Sequence, residues 1–274
     1  MRGAKLSGWR RIASAMWDAP NDPQIYGALE LDAGPLLDFM SSARAAGHHV
    51  TPTHLVGRAL AHALSSVPDL NVRLEQGRAI QRRSVEVFFI TAVEGGHDLS
   101  GVKIERAEDK SAVEVSRELD LRSRTLKQKH DPTFNRVKRI MEALPHPLLR
   151  AALRITCYVA NELDRDFKVA GVERSPFGSA MVTSVGMFGL PHGFAPLSWM
   201  YPVPAIVLVG EIADKPVAIE GKVEVRPVIP ICATLDHRYM DGWHISRLLV
   251  HFKEYLADPR AFEPAFAASP AGPL

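Results

Sequence analysis

The spacing of apolar and polar positions changes repeatedly along the chain, from a helical period to a strand period and back. Such alternation predicts a mixed α/β domain, in which helices flank a sheet. Apolar stripes at helical spacing predict helices at 7–17, 36–47, 51–67, 131–166 and 243–256, and 110–130 is predicted to be a charged helix that mostly faces water. Runs rich in β-branched or aromatic residues predict strands at 25–31, 85–93, 180–185, 205–211 and 223–235.

Two segments depart from this alternation. The helical region 131–166 contains Pro145 and Pro147. Because proline interrupts a helix, these residues are predicted to split the region. The segment 259–274 is rich in Ala and Pro and is predicted to be loosely ordered. Because neither an internal repeat nor an interdomain linker divides the chain, residues 1–274 are predicted to form one domain.

Composition narrows the function classes. The 274 residues are 46% apolar, enough for a sizeable core, and the net charge is only +2 with no basic patch, so nucleic-acid binding is not expected. The apolar run 147–163 contains Arg150 and Arg154 and is shorter than the roughly 20 residues of a membrane span, so no span is expected. Two cysteines, Cys157 and Cys232, lack metal or redox spacing, which predicts a reduced, cytoplasmic setting.

A histidine at the end of the apolar run 228–235 is the candidate general base. Asp236 and His237 follow that run directly, and Asp241 lies four residues further on, before the terminal helix. A histidine at a strand end is held rigidly and still reaches a cleft, and its pKa of about 6.5 suits proton transfer. The spacing alone does not separate a catalytic histidine from a surface one. A zinc site formed by His237, Asp241 and His244 is not expected, because zinc sites usually have a third unambiguous ligand and these residues do not clearly provide one. No metal is therefore expected.

The residues around His237 carry a family resemblance. The run Thr234-Leu235-Asp236-His237-Arg238-Tyr239-Met240-Asp241-Gly242 resembles the Asp-His-Arg-x-x-Asp-Gly signature of the dihydrolipoamide acyltransferases of 2-oxo acid dehydrogenase complexes. Four other segments resemble that family in the same order, and they are 6–16, 59–71, 182–189 and 202–210. Chloramphenicol acetyltransferases are similar at the His-x-x-x-Asp-Gly run. The resemblance implies a chloramphenicol acetyltransferase-like α/β fold, a mixed sheet flanked by helices, with a helical insertion at 131–167.

The resemblance also implies catalytic roles. The family transfers an acyl group between the thiols of coenzyme A and dihydrolipoamide, and His237 matches its general base. Thr183 matches the family's serine, whose hydroxyl stabilises the tetrahedral oxyanion. Ser184 is the poorer candidate because it would point to the opposite face of the strand.

Support of the site is implied for four further residues. By resemblance Asp241, grouped with the catalytic residues, orders the loop through an ion pair with an arginine of the first helix. Arg10 and Arg11 are the candidates for that arginine. Gly242 is expected to permit a backbone geometry that a Cβ would obstruct.

The same resemblance sets expectations for cofactors and partners. It implies a homotrimer with each active site between subunits, and it leaves a higher cage open. Coenzyme A or acyl-coenzyme A is a substrate, and no covalently bound cofactor is expected. The match begins near Met1, so neither a lipoyl domain nor a peripheral-subunit-binding domain is expected. The lipoyl group would then come from a separate lipoyl-bearing protein.

Departures from the family keep other functions open. Thr183 replaces a serine, and 96–102 replaces a Gly-Leu-x-x-Pro-Val strand that lines the substrate channel in relatives. These changes favour a non-catalytic trimeric assembly protein, whereas the intact histidine motif favours an enzyme. A third alternative is an acyltransferase with a small amine or alcohol as acceptor. The apolar face of the insertion predicts either a helical hairpin packed on protein or an acyl-chain- or lipid-binding element near Arg150 and Arg154.

Overall fold

The computed structural model describes residues 22–75, 77–93, 98–128, 145–163, 165–166, 174–198 and 202–266. Several expectations fall outside these residues. They are the helix 7–17 with Arg10 and Arg11, the part of the insertion before 145, and the end of the tail. Among the described residues, no helix is long and apolar enough to cross a membrane.

Five α-helices are described. They are α1 (Gly34–Ala45), α2 (Pro52–Ser66), α3 (Ala112–Gln128), α4 (His146–Cys157) and α5 (Gly242–Ala257). Local sequence explains their ends. Thr51 precedes α2, and its backbone N–H donates to Nδ1 of His54 at 3.1 Å. After α1, Gly47 adopts a positive φ of 82°, a conformation that glycine allows without a steric penalty.

The described residues also form nine strands. They are β1 (Gln24–Asp32), β2 (Val72–Glu75), β3 (Arg78–Gln81), β4 (Val87–Val93), β5 (Asp98–Ile104), β6 (Ala180–Ser184), β7 (Ala205–Val209), β8 (Ala213–Ile219) and β9 (Lys222–Asp236). Seven of them form one sheet in the order β1-β9-β7-β6-β4-β5, with β8 paired to β9. The β4/β6 and β6/β7 pairs are parallel and the other pairs are antiparallel. The mixed sheet predicted from the sequence is confirmed.

The main hydrophobic core lies between one face of this sheet and the helices α1, α2 and α5. Gly57 allows α2 to approach β4, because a Cβ at that position would overlap the ring of Phe89. A smaller cluster, centred on Met181, Val203 and Ile206, lies on the opposite face of the sheet. Among the described residues, the two faces of the sheet therefore pack against different clusters.

Three features differ from the sequence-based expectation. The hairpin β2–β3 and the strands β5 and β8 were not predicted. Pro145 precedes α4 and Pro147 lies in its first turn, where a proline lacks only an N–H that has no partner. The predicted split of the region 131–166 stays a prediction, because 131–144 lie outside the described residues.

The segment after Asp258 was expected to be loosely ordered, and this is wrong as far as 266. Pro259–Ala261 form a 3₁₀ turn, and the hydroxyl of Tyr255 donates to a carboxylate oxygen of Glu263 at 2.5 Å. The ring of Phe266 lies 5.0 Å from that of Phe39. Aromatic and carboxylate side chains within an otherwise Ala- and Pro-rich run thus bind it to α1 and α5.

Candidate active site

His237 lies immediately after the last residue of β9, as the sequence predicts. Its backbone N–H donates to the carbonyl oxygen of Pro23 at 2.7 Å, which ties it to the segment entering β1. Its side chain is exposed in the single chain. The backbone of the candidate base is therefore fixed while its imidazole remains accessible.

An ion pair between the buried Asp236 and the exposed Arg238 joins the residues on both sides of His237. Asp236 is only 3% exposed, and its carboxylate accepts the backbone N–H of Arg238 at 2.9 Å. The guanidinium of Arg238 donates to both carboxylate oxygens, through Nε at 3.0 Å and through Nη2 at 2.5 Å. Such bidentate pairing fixes the relative orientation of the two side chains and also pairs their charges. The pair clamps the loop at the residue before His237 and at the residue after it.

Removing the arginine of this clamp is expected to destabilise the fold. In Arg238→Met the buried carboxylate of Asp236 loses its charged partner, so the free energy of unfolding should fall by about 2 kcal/mol. Arg226→Met is the matched control, because Arg226 binds Glu224 two residues away on the same strand, with both side chains more than 40% exposed. Urea unfolding should show a change of at most about 0.5 kcal/mol for that control. An equal loss of unfolding free energy in the two variants would contradict the expected importance of a charged partner for the buried Asp236.

The rest of the loop is anchored by Tyr239 and Met240. The hydroxyl of Tyr239 donates to the carbonyl of Pro202 at 3.3 Å and lies 3.4 Å from the backbone nitrogen of Leu74, which donates to it. Burial raises the pKa of Tyr239. Met240 is 2% exposed and packs in the main core. The hydroxyl of Tyr239 and the side chain of Met240 thus anchor the C-terminal side of the turn.

Asp241 caps α5 within the described structure. Its carboxylate accepts the backbone N–H groups of Trp243 at 3.0 Å and His244 at 3.1 Å, and Nδ1 of His244 lies 2.7 Å from it. The backbone and ring of His244 hold the pKa of this carboxyl below its ordinary value. The predicted ion pair with Arg10 or Arg11 lies outside the described residues and stays a prediction.

The steric argument for Gly242 is wrong. It adopts no positive φ, and a Cβ built on it meets no heavy atom within 4 Å. Gly242 is the first residue of α5. Crowding around its backbone therefore does not explain why the motif has a glycine at this position.

Thr183 and His237 lie far apart within one chain. Thr183 on β6 pairs with Leu208 on β7, and Leu208 pairs with Cys232 on β9, five residues before His237. At about 3.3 Å per residue and 4.8 Å per strand, this register separates the two residues by roughly 19 Å. Thr183 shares the strand face of Met181, and Ser184 points to the opposite face, as expected.

A cleft opens beside the His237 loop. Its volume is about 460 Å³, and Asp236 and Arg238 line one side of it. The opposite wall comes from the predicted insertion, where α4 passes into a π-helical turn at Tyr158–Glu162. That wall contributes Arg154, Cys157, Tyr158 and Asn161. Tyr158 and Asn161 were not expected at the site, because no local motif relates them to the distant His237.

Comparison with known proteins gives one family. The model described as 2-oxoacid dehydrogenases acyltransferase (catalytic domain) matches residues 3–133 and 167–263. The dihydrolipoyllysine-residue acetyltransferase component of the pyruvate dehydrogenase complex of Bacillus subtilis is 26% identical over 264 residues, which cover 93% of this chain and 50% of that protein. The chain therefore spans about half the length of this relative.

Solved structures support the fold. A probable dihydrolipoamide acetyltransferase from Listeria monocytogenes superposes with a TM-score of 0.64 at 20% identity, covering 97% of this chain and 99% of that one. Chloramphenicol acetyltransferase superposes with a TM-score of 0.50 at 17% identity, covering 86% of this chain and 89% of that one. The chloramphenicol acetyltransferase-like fold predicted from the sequence is confirmed.

Proposed function

Because the chain belongs to the family of 2-oxoacid dehydrogenase acyltransferase catalytic domains, we propose that it transfers an acyl group between the thiol of coenzyme A and a dihydrolipoamide-type thiol. The observation that carries this proposal is the rigid loop that presents His237 at the end of β9, with the motif residues on both sides of it held by buried contacts. A loop retained only for packing does not require an exposed imidazole at its centre.

The reaction needs a base, because a thiol with a pKa near 8.5 is mostly protonated at neutral pH and the thiolate is the nucleophile. His237 accepts the proton of the attacking thiol. The thiolate sulfur then forms a bond to the carbonyl carbon of the acyl thioester and creates a tetrahedral oxyanion. When that intermediate collapses, the original carbon–sulfur bond breaks, and the departing thiolate takes the proton back from the imidazolium.

The oxyanion requires a hydrogen-bond donor at the carbonyl oxygen. Thr183 carries a hydroxyl at the position that matches the family's serine. The separation of roughly 19 Å between Thr183 and His237, which follows from strand spacing, places this donor beyond the reach of His237 in the same chain. We therefore assign the donor to a neighbouring subunit, in a homotrimer whose sites lie between subunits. A cage built from such trimers remains compatible with this arrangement.

The cleft beside the loop is the proposed entry for one thiol substrate. Its lining includes two arginines, Arg154 and Arg238, and two aspartates, Asp22 and Asp236, so its charge alone does not select the substrate. The insertion would then contribute to substrate binding rather than only to packing. The acyl-coenzyme A is a substrate, and no covalently held cofactor is required. The proposed acceptor carries a lipoyl group, and the proposed setting is cytoplasmic.

A thiol-release assay tests the proposed function. Purified protein is mixed with acetyl-, succinyl- or longer-chain acyl-coenzyme A, with dihydrolipoamide or without it, and free coenzyme A is measured. We expect release that depends on dihydrolipoamide and that saturates with at least one donor. Release that requires a small amine or alcohol would replace dihydrolipoamide with that acceptor. A stable oligomer that is inert with all donors and acceptors would contradict the enzyme and favour the assembly protein.

A further inference from the structure

Two histidines and a glutamate converge outside the acyl-transfer site, where α2 packs against α5. His62 belongs to α2, whereas His251 and Glu254 belong to α5. One possible ligand atom from each of the three side chains lies within 4.8 Å of the other two. The chain positions of α2 and α5 are almost 190 residues apart, so only the fold brings these groups together.

Helix geometry explains the convergence. Residues three apart on a helix lie on the same face, so His251 and Glu254 point to the same side of α5. His251 Nδ1 lies 3.5 Å from a carboxylate oxygen of Glu254. Across the interface the ring centroids of His62 and His251 are 6.1 Å apart. The rings of Phe262, at 4.6 Å, and Tyr255, at 6.0 Å, hold His62 from the other side.

Arg58 lies one helical turn before His62 on α2, so its positive charge is close to the cluster. Arg58 opposes a bound cation, but its Nε lies 3.5 Å from a carboxylate oxygen of Glu263, which is 1% exposed. Its charge is thus paired within the core beside the cluster.

We propose that His62, His251 and Glu254 bind a divalent transition metal, with zinc preferred, which links α2 to α5. Two imidazoles and one carboxylate are a zinc ligand set, and a fourth position is left for water. Tetrahedral bonds of about 2.1 Å place ligand atoms about 3.4 Å apart, so the three side chains must close by little more than 1 Å. His251 and Glu254 are 36% and 56% exposed, which leaves them free to make this adjustment.

A bound metal would act as a clamp between two helices of the main core. The ion binds the folded chain, in which the three ligands are close, and the unfolded chain separates them. Zinc is therefore expected to stabilise the fold in proportion to its saturation. At free zinc about a hundredfold above the dissociation constant, the melting temperature should rise by about 5 °C.

The test uses the full chain without a histidine tag, first stripped with a chelator. Zinc chloride is titrated by calorimetry, and cobalt(II) serves as a spectroscopic probe because its visible absorption reports tetrahedral coordination. We expect one zinc per chain, an intense cobalt spectrum and a zinc-dependent rise in melting temperature. His62→Gln, His251→Gln and Glu254→Gln should each weaken zinc binding about tenfold or more. His49→Gln is the matched control, because it removes an exposed histidine outside the cluster.

Melting in the presence of chelator separates folding defects from lost ligands. All four variants should melt within about 2 °C of the parent there, since the replaced side chains are partly exposed. The proposal is overturned if the three cluster variants bind zinc as tightly as the parent and the control. It is also overturned if the parent shows no saturable binding near one equivalent. Neither result depends on acyltransferase activity, so the metal site and the proposed function fail independently.

Discussion

Replacing His237 with alanine is expected to reduce turnover by about two to four orders of magnitude, because the thiol then has no positioned base. The fold should be unaffected, since the imidazole is exposed and the loop is held by its backbone and by Asp236 and Arg238. Steady-state rates with acyl-coenzyme A and dihydrolipoamide measure the loss. The acceptor's KM should change little, because the lost group acts mainly in the transition state.

Two controls make this result specific. His49→Ala removes another exposed histidine and should retain parental rates. Raising the pH should partly restore the His237→Ala variant, since more of the thiol is then ionised without a base. Parental turnover in purified His237→Ala would remove His237 from the mechanism. Loss of assembly in that variant would instead indicate a structural histidine.

Thr183→Val should lower turnover by about 10²–10³, because valine keeps the shape of threonine and removes the hydroxyl donor. Thr183→Ser keeps the donor and should retain or raise activity. The two variants therefore separate loss of the hydroxyl from a change in side-chain volume. Equal activity in all three proteins would move the oxyanion donor to Ser184 or to a backbone N–H.

Combining the two inactive variants extends this prediction to the subunit interface. Co-expressed His237→Ala and Thr183→Val subunits should form hybrid trimers, and about one quarter of the interfaces in a random mixture of all trimers should combine an intact histidine with an intact threonine. Activity should thus recover to roughly a quarter of the parental value. Light scattering should give a mass near three times 30.2 kDa, or a multiple of that trimer. An active monomer would contradict the shared site.

The main elements of the fold could be predicted from the sequence because their apolar patterns are strong. The buried runs that became β4, β6, β7 and β9 are rich in β-branched residues, and α5 shows a clear apolar stripe. The hairpin of β2 and β3 was missed because its strands are four residues long and carry charges such as Arg73 and Glu75. β8 was missed because it contains Asp214 and Pro216, two residue types that are uncommon in strands. Its pairing with β9 stabilises it.

The candidate site was predictable only in part, for a similar reason. A motif shows residues that are close in sequence, so His237 and its loop could be identified directly. The wall of the cleft formed by Tyr158 and Asn161 depends on how a distant helix packs, and no local pattern shows it. The cluster of His62, His251 and Glu254 was not expected either, because its ligands come from two separate helices.

The position of β9 within the sheet bears on how the protein opens by thermal fluctuation. Residues 231–235 are paired on both sides, with β1 and with β7. Their amide hydrogens are protected by two neighbouring strands, so local fraying at a single edge does not release them. His237 is attached to this doubly paired segment, and it therefore keeps its orientation until the sheet itself separates. Motions that admit substrate must then occur in the surrounding walls rather than in the strand that carries the base.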